Sequence, residues 1–150
     1  KLELQILFMQ QKNICFSFHG YSPFNYDRTF KKVNVSAKVT YKDILKNNEI
    51  LTSTVIITSD LRDKATFPED LSHGEDMLYV LALLKTTEHA VSLTQANTLY
   101  RISSNSLSSN KFVMAKKRWL IYTQYLKLGY IKSLYYFTHY AISATKRRLL

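Results

Sequence analysis

The sequence predicts a mixed α/β fold, and three observations carry that reading. Helical and strand-like stretches are interleaved along the chain. An apolar share of 46% among 150 residues is enough for a real core. Glycine, at 3, and proline, at 2, are scarce, which excludes collagen-like and linker-like chains. The length suits one domain of ordinary size, or part of a larger one. The lone cysteine, Cys15, excludes a disulfide framework within the chain and a cysteine-rich zinc site. The chain begins at Lys1 rather than Met, so a fragment is among the expectations.

The elements follow in order. Residues 1–11 read as the end of a helix, with Leu2, Ile6 and Met9 on one face and Leu4, Leu7 and Phe8 widening it. Residues 14–21 read as a strand in which Cys15 is a buried core thiol. Residues 22–36 are turn-rich, an irregular hairpin or loop with a short strand at 32–36. Thr40 opens a short helix, with Asp43 three residues on as a variant capping box and Ile44 and Leu45 inward. Ile50 to Thr58 is dense in β-branched residues and reads as the strongest strand. Residues 59–71 read as a loop with a short helical turn, ending near Pro68.

Ser72-His73-Gly74-Glu75 matches a full capping box, so a second helix is expected from Ser72 to about Lys85. Leu78, Leu81, Ala82 and Leu84 line its apolar face. Ala90 to Thr94 and Thr98 to Ile102 read as short strands, and residues 103–109 as a polar loop. From Asn110, Phe112, Ala115, Trp119, Tyr122 and Leu126 recur at helical spacing, with Gly129 as the stop. A last helix is expected from Tyr130 to Lys146, with Ile131, Leu134, Tyr135, Thr138 and Ile142 on one face.

The charge is uneven. Residues 1–88 hold 11 basic and 11 acidic side chains, whereas residues 89–150 hold 10 basic ones and no acid. The whole net charge of +10 therefore sits in the last part. It points to an anionic partner: nucleic acid, a membrane surface or a phosphate-bearing ligand. The longest uncharged run there, Ser133 to Thr145, is 13 residues, too short to span a bilayer.

Several chemistries are excluded. His19, His73, His89 and His139 are not spaced as zinc ligands and read as surface or partly buried side chains. Three glycines, at 20, 74 and 129, build neither a Walker A loop nor GxGxxG, and no GxSxG occurs. The carboxylate pair Glu75-Asp76 stands out, at a helix start just after Gly74. A first-turn carboxylate is favoured in its charged form by the helix macrodipole, which suits a general base. Glu75 also serves as the capping partner of Ser72.

Three stretches in order resemble the C-terminal half of bacterial family 2 glycosyltransferases of surface-polysaccharide synthesis, such as the teichuronic acid, capsule and lipopolysaccharide enzymes. The first is Val39-Thr-Tyr-Lys-Asp-Ile-Leu-Lys-Asn-Asn48 with Ser53-Thr-Val55. The second is Gly74-Glu-Asp-Met-Leu-Tyr-Val-Leu-Ala-Leu-Leu-Lys85. The third is Leu99-Tyr-Arg-Ile-Ser-Ser-Asn-Ser-Leu-Ser-Ser-Asn-Lys111, then Lys132-Ser-Leu-Tyr-Tyr-Phe137. The resemblance implies a GT-A fold, a nucleotide-sugar donor, a saccharide or lipid-linked acceptor, and a cytoplasmic place at the inner face of the cell membrane. It implies that Asp76 is the general base and that Glu75, with Ser53 and Thr54 on a strand below, binds the acceptor. Tyr100 and Arg101 would lie near the donor diphosphate or the acceptor, where a planar guanidinium grips phosphate oxygens in pairs.

The chain departs from the pattern in two places. Ser103 stands where the family often has His or Arg. No Asp-x-Asp occurs, since Asp60 and Asp63 are three apart; in the complete enzyme that motif holds a divalent metal, Mg or Mn. Lys1-Leu2-Glu3 resembles the helix that follows it. The expectation is that residues 1–108 form the acceptor-binding half of the domain, with the nucleotide-binding half missing, and that the chain alone binds no cofactor and catalyses no transfer.

Residues 109–150 read as a basic, aromatic helical extension. Lys116, Lys117, Arg118, Trp119, Lys132, Arg147 and Arg148 suit a membrane interface, or equally a helical pair packed on the domain with its charges solvated. Two other classes remain: a nucleic-acid-binding module using basic and aromatic side chains, and a non-catalytic membrane-surface adaptor. No RRM, KH or helix-turn-helix pattern supports the former.

Overall fold

The computed structural model describes residues 1–66, 74–94, 98–102 and 110–149, with the backbone alone for Lys111 and residues 146–149. The mixed α/β reading holds. Helix α1 (Leu2–Lys12) leads into β1 (Phe16–Phe18) and β2 (Tyr21–Phe24). Then come β3 (Lys38–Thr40), α2 (Tyr41–Lys46), a 3-10 turn (Thr52–Thr54), β4 (Ile56–Ile57) and α3 (Ser59–Arg62). The rest is α4 (Glu75–Thr86), β5 (His89–Ser92), β6 (Thr98–Arg101), α5 (Lys111–Leu120) and α6 (Tyr130–Leu149).

Four strands form one sheet in the order β3-β5-β1-β4. Its central pair is parallel, with Ser17 opposite Val91 and Phe18 opposite Ser92. β3 and β4 run antiparallel on either side. β2 and β6 make a separate parallel pair, from Tyr21 opposite Thr98 to Phe24 opposite Arg101. The core lies where Phe16, Phe18 and Ala90 of the sheet meet Ile44 and Leu45 of α2 and the inner face of α4, Met77, Val80, Leu81, Leu83 and Leu84. Ile121 and Tyr122 close it from the other side, and the Tyr122 hydroxyl donates to the Leu45 carbonyl.

The short helix α2 starts as its sequence dictates. The Asp43 carboxylate accepts from the Thr40 N–H at 2.9 Å and the Thr40 hydroxyl at 2.6 Å. The hydroxyl bond holds the Asp43 carboxyl below its usual range. At α5 the Asn110 side chain accepts from the Val113 N–H at 3.2 Å, an ordinary N-cap.

Elsewhere tertiary context overrides the sequence pattern. The expected strand Ile50 to Thr58 survives only as Ile56–Ile57. Residues 52–54 wind into a 3-10 turn, because the Thr54 N–H and hydroxyl both donate to the Leu51 carbonyl, at 2.8 and 2.7 Å. Threonine's local bonding wins over its β propensity. The strand expected over residues 14–21 breaks at His19-Gly20, and residues 22–24, expected in the loop, join Tyr21 in a separate strand. A Cβ on Gly20 would stand 2.6 Å from the Val33 carbonyl oxygen, so this crossing needs glycine. The hairpin that follows is irregular as expected, with isolated bridges Tyr21–Val33 and Phe24–Thr29.

The helix faces differ from expectation as well. On α1, Leu2, Leu4, Ile6 and Leu7 are exposed, while Gln5 and Met9 are buried. Phe112 on α5 is 90% exposed rather than core-facing. Cys15 sits half-buried at the edge of the core, its thiol 3.5 Å from the Thr87 hydroxyl. The helix expected to stop at Gly129 changes earlier: after Leu120 it widens into a π-helical stretch, Ile121–Tyr125. The Leu126 N–H donates to the Ile121 carbonyl at 2.9 Å, five residues back. Lys127 and Gly129 then both take positive φ, 48° and 78°. Helix α6 runs on to Leu149, past the expected end at Lys146. Its predicted apolar face, Ile131, Leu134, Tyr135 and Ile142, points outward, and Ser133, Tyr136 and Phe137 point in.

Candidate active site

The Glu75-Asp76 pair opens α4, but not through the expected capping box. Gly74 is the N-cap, with φ 94° and ψ 4°, and the helix begins at Glu75. Glu75 is thus the first helical residue rather than the third, so it is not placed to close a box with Ser72. Ser72 and His73 themselves lie outside the described residues, as do Pro68 and the expected loop at 103–109 with Ser103. A left-handed φ is a natural glycine conformation and a costly one for any residue with a Cβ.

Two contacts from the next helix hold this start in place. A Cβ on Gly74 would lie 2.7 Å from Ile121 Cδ1, at the head of the π-helical stretch. One turn earlier, Arg118 donates to the Met77 sulfur, and its guanidinium lies 4.7 Å from the centre of the Tyr140 ring. A π-helical turn often re-aims side chains beside a functional site. Here it delivers Ile121 and Tyr122 to the core, with Ile121 beside Gly74.

The carboxylates themselves are half-buried. Asp76 Oδ1 accepts from the Met77 N–H at 2.7 Å, which fixes the direction of its carboxylate. Glu75 Oε2 is buried and has no hydrogen-bond partner among the described residues. A buried, unpartnered acceptor at a helix N-terminus is costly unless something donates to it.

Topology places this pair at a definite edge of the sheet. α4 returns to β5 through the short connection Thr87-Glu88, so it runs back along the strand it feeds. Its N-terminus therefore stands toward the C-terminal end of β5. Ligand sites of open α/β sheets lie at such strand ends. The parallel neighbour β1 ends at the same edge, in His19. That histidine is fully buried, not partly exposed as the sequence suggested. Its Nδ1 donates to the Gly20 carbonyl at 2.8 Å, and its Nε2 has no partner among the described residues. Burial, with the Lys1 and Lys32 cations nearby, pushes its pKa down, against the opposing pull of the Gly20 carbonyl. Lys32 is tied to this edge by its ammonium, 3.1 Å from the Thr94 carbonyl.

The remaining predicted residues fall into two further groups. Ser53 and Thr54 lie on the 3-10 turn rather than a strand. Thr54 is fully buried and Ser53 exposed. Gln5 locks this turn to the sheet: its amide donates to the Ser17 hydroxyl at 2.9 Å and to the Thr54 carbonyl at 3.0 Å. Lys1 donates to the Ser53 carbonyl at 2.5 Å. Tyr100 and Arg101 end β6, both exposed, with Tyr100 edge-on to Tyr21 at 5.7 Å. Among the described residues no hydrogen bond joins Glu75 or Asp76 to either group. Gln5 and His19 went unassigned in the sequence; a polar residue inside an apolar helical run was the one visible signal for Gln5.

The basic C-terminal helices divide by face. Lys116 and Lys132 are exposed. Trp119 is half-buried between α5 and α6, edge-on to Tyr130 at 5.7 Å and to Phe137 at 5.5 Å. Arg118 is turned inward against Met77 and Tyr140. The side chains of Arg147 and Arg148 lie outside the described set.

The chain is similar over 99% of its length to TuaG of Bacillus subtilis, named as a teichuronic acid biosynthesis glycosyltransferase, at 36% identity. Over 98% of its length it is 31% identical to the Escherichia coli UDP-Glc:alpha-D-GlcNAc-diphosphoundecaprenol beta-1,3-glucosyltransferase WfgD. An uncharacterized glycosyltransferase of Haemophilus influenzae matches 94% of the chain at 34% identity. The chain spans 60%, 57% and 56% of the lengths of these relatives. No family model and no solved structure matches it. The resemblance to bacterial glycosyltransferases of surface-polysaccharide synthesis thus extends across nearly the whole chain.

Among the described residues no group of three His, Cys, Asp or Glu could hold a metal ion.

Proposed function

We propose that this chain carries the acceptor side of a GT-A-type glycosyltransferase site, with Asp76 as the general base. The enzyme would move a sugar from a nucleotide-sugar donor to a saccharide or lipid-linked acceptor in cell-surface polysaccharide synthesis. The observation that carries this reading is the paired carboxylate at the head of α4, at a strand-end edge, with Glu75 Oε2 buried and without a partner among the described residues. An acceptor hydroxyl bonded to Glu75 would be positioned there. Asp76, its Oδ1 held by the Met77 N–H, has a second oxygen to take the proton as the hydroxyl oxygen attacks the anomeric carbon. Departure of the nucleoside diphosphate balances the displacement. Arg101, with Tyr100, is assigned to the diphosphate.

WfgD is named for a diphosphoundecaprenol-linked acceptor, which supports that acceptor class here. The nucleic-acid reading is disfavoured: Trp119, Tyr122, Tyr136 and Phe137 are occupied in ring contacts with one another and with the helix pair, rather than laid out as a stacking platform.

The test is turnover in the longest natural polypeptide that carries this sequence. Asp76→Asn should lower kcat by about 10²- to 10⁴-fold with folding intact. Near-wild-type turnover would remove Asp76 as the base. Restored activity of Glu75→Gln at high acceptor concentration would support its positioning role.

A further inference from the structure

Helix α6 has two faces of opposite character. Its inner face is anchored: Ser133 is fully buried, and Tyr136 and Phe137 pack on the core. The outer face carries Ile131, Leu134, Tyr135 and Ile142, exposed by 84%, 49%, 50% and 53%. At 3.6 residues per turn these four fall on one stripe, directly opposite Ser133. Thr138 and Thr145 complete it. Their hydroxyls do not look outward: Thr138 donates to the Leu134 carbonyl at 2.7 Å and Thr145 to the Ala141 carbonyl at 3.0 Å. Back-bonded in this way, each offers a methyl group to the surroundings. The stripe is therefore apolar in its chemistry and not merely in its residue names.

The charge around the stripe selects its occupant. Lys132 lies beside it, exposed, and Lys127 is exposed at the turn before the helix. No acidic residue occurs anywhere from His89 to Leu150. A second copy pairing through this face would set Lys127 and Lys132 against their counterparts, and neither α6 nor the turn before it carries a carboxylate to offset them. An anionic bilayer offsets both lysines. Among the described residues no helix is long and apolar enough to cross a membrane. A helix of 20 residues with an apolar stripe and flanking lysines instead lies along the headgroup boundary.

We propose that the outer face of α6, Ile131–Leu134–Tyr135–Ile142, rests on an anionic lipid bilayer with the helix axis along the surface. The contact residues differ from the basic set that the sequence suggested. Apolar insertion comes from the stripe, Lys127 and Lys132 supply attraction, and Arg118 and Trp119 belong to the inner packing. The inference stands on helix geometry and not on the transferase reading. Vesicle binding is measured without donor or acceptor, so the two can fail separately.

The experiment is co-sedimentation of the protein with vesicles of phosphatidylcholine containing a third phosphatidylglycerol, and with pure phosphatidylcholine. Binding should require the anionic lipid and weaken as salt rises. The double variant Ile131→Ser, Ile142→Ser should bind at least tenfold more weakly, with an unchanged far-ultraviolet circular dichroism spectrum. Lys132→Glu should also weaken binding while leaving the stripe intact. Absence of binding to anionic vesicles, or equal binding by the double variant, would overturn the proposal. So would a lipid-free dimer, seen by sedimentation, that the double variant dissolves: the stripe would then be covered by a second copy.

Discussion

Replacing Gly74 by alanine tests the local geometry that aims the carboxylate pair. Two independent costs are expected. The first is conformational: φ is 94°, and holding a residue with a Cβ at positive φ costs about 1–2 kcal/mol. The second is steric: the new methyl would sit 2.7 Å from Ile121 Cδ1. Ile121 is only 3% exposed, so its terminal methyl must repack rather than swing into water. Overpacking of this kind costs about 1–3 kcal/mol. Together the loss should be about 2–5 kcal/mol, read from urea unfolding by circular dichroism. The two parts separate in the Ile121→Val background. That change removes Cδ1, leaves the next atom at 3.8 Å, and alone costs about 0.5–1.5 kcal/mol. There Gly74→Ala should retain only its conformational cost, a favourable coupling of about 1 kcal/mol or more. Equal costs in both backgrounds would refute the Ile121 contact. A cost for Gly74→Ala below about 0.5 kcal/mol would refute the left-handed N-cap.

Two further outcomes follow from buried polar groups. Tyr122→Phe leaves the Leu45 carbonyl without its donor and should lower stability by about 1–3 kcal/mol; an unshifted urea midpoint would show that the bond is not made. His19 has its folded pKa lowered by burial, so as pH falls the unfolded chain takes up the proton first. Its contribution is intact above the ordinary histidine range of about 6.5 and is lost as pH falls through that value toward the folded pKa. Between about pH 7 and pH 5 the stability of His19→Gln should fall less steeply than that of wild type; parallel slopes would refute the assignment.

What the sequence made legible was local. The Thr40–Asp43 cap, the inward Ile44 and Leu45, the strands at β5 and β6 and the start of a helix at Asn110 each rest on residues within four positions of one another, and all four are present. What it concealed was decided from a distance. The β-branched run after Ile50 gave most of its strand to the turn that Thr54 closes on Leu51, and Gln5 of α1 fixes that turn to the sheet through the Thr54 carbonyl. The capping box at Ser72 gave way to a glycine held by Ile121, 47 positions away. Apolar periodicity located α1 and α6 but not which of their sides meets the core, since it reports a stripe and not its partner. For the candidate site, the motif order marked Glu75 and Asp76, and the fold adds His19 and Lys32 at the same sheet edge. It leaves Ser53, Thr54, Tyr100 and Arg101 in separate groups.

The two proposals constrain each other through the helix layers between them. The inner face of α6 packs on α5 through Trp119, Tyr130 and Phe137. The α5 helix and its π-helical extension in turn meet the head of α4 through Arg118 and Ile121. Arg118 reaches Met77 of α4 and Tyr140 of α6 with one guanidinium, so at that level the two helices stand about one helix spacing apart, roughly 8–10 Å between axes. On the proposed seating, an acceptor anchored in the bilayer must hold its reacting hydroxyl above the headgroups by at least the width of α6, about 10–12 Å. A saccharide carried on a lipid diphosphate can extend into that space, whereas a hydroxyl on a bare lipid phosphate stays at the surface. The geometry therefore favours an acceptor that already bears sugar. If vesicle binding holds but turnover accepts a sugar-free lipid phosphate equally well, the path from bilayer to Asp76 must run around α6 rather than across it.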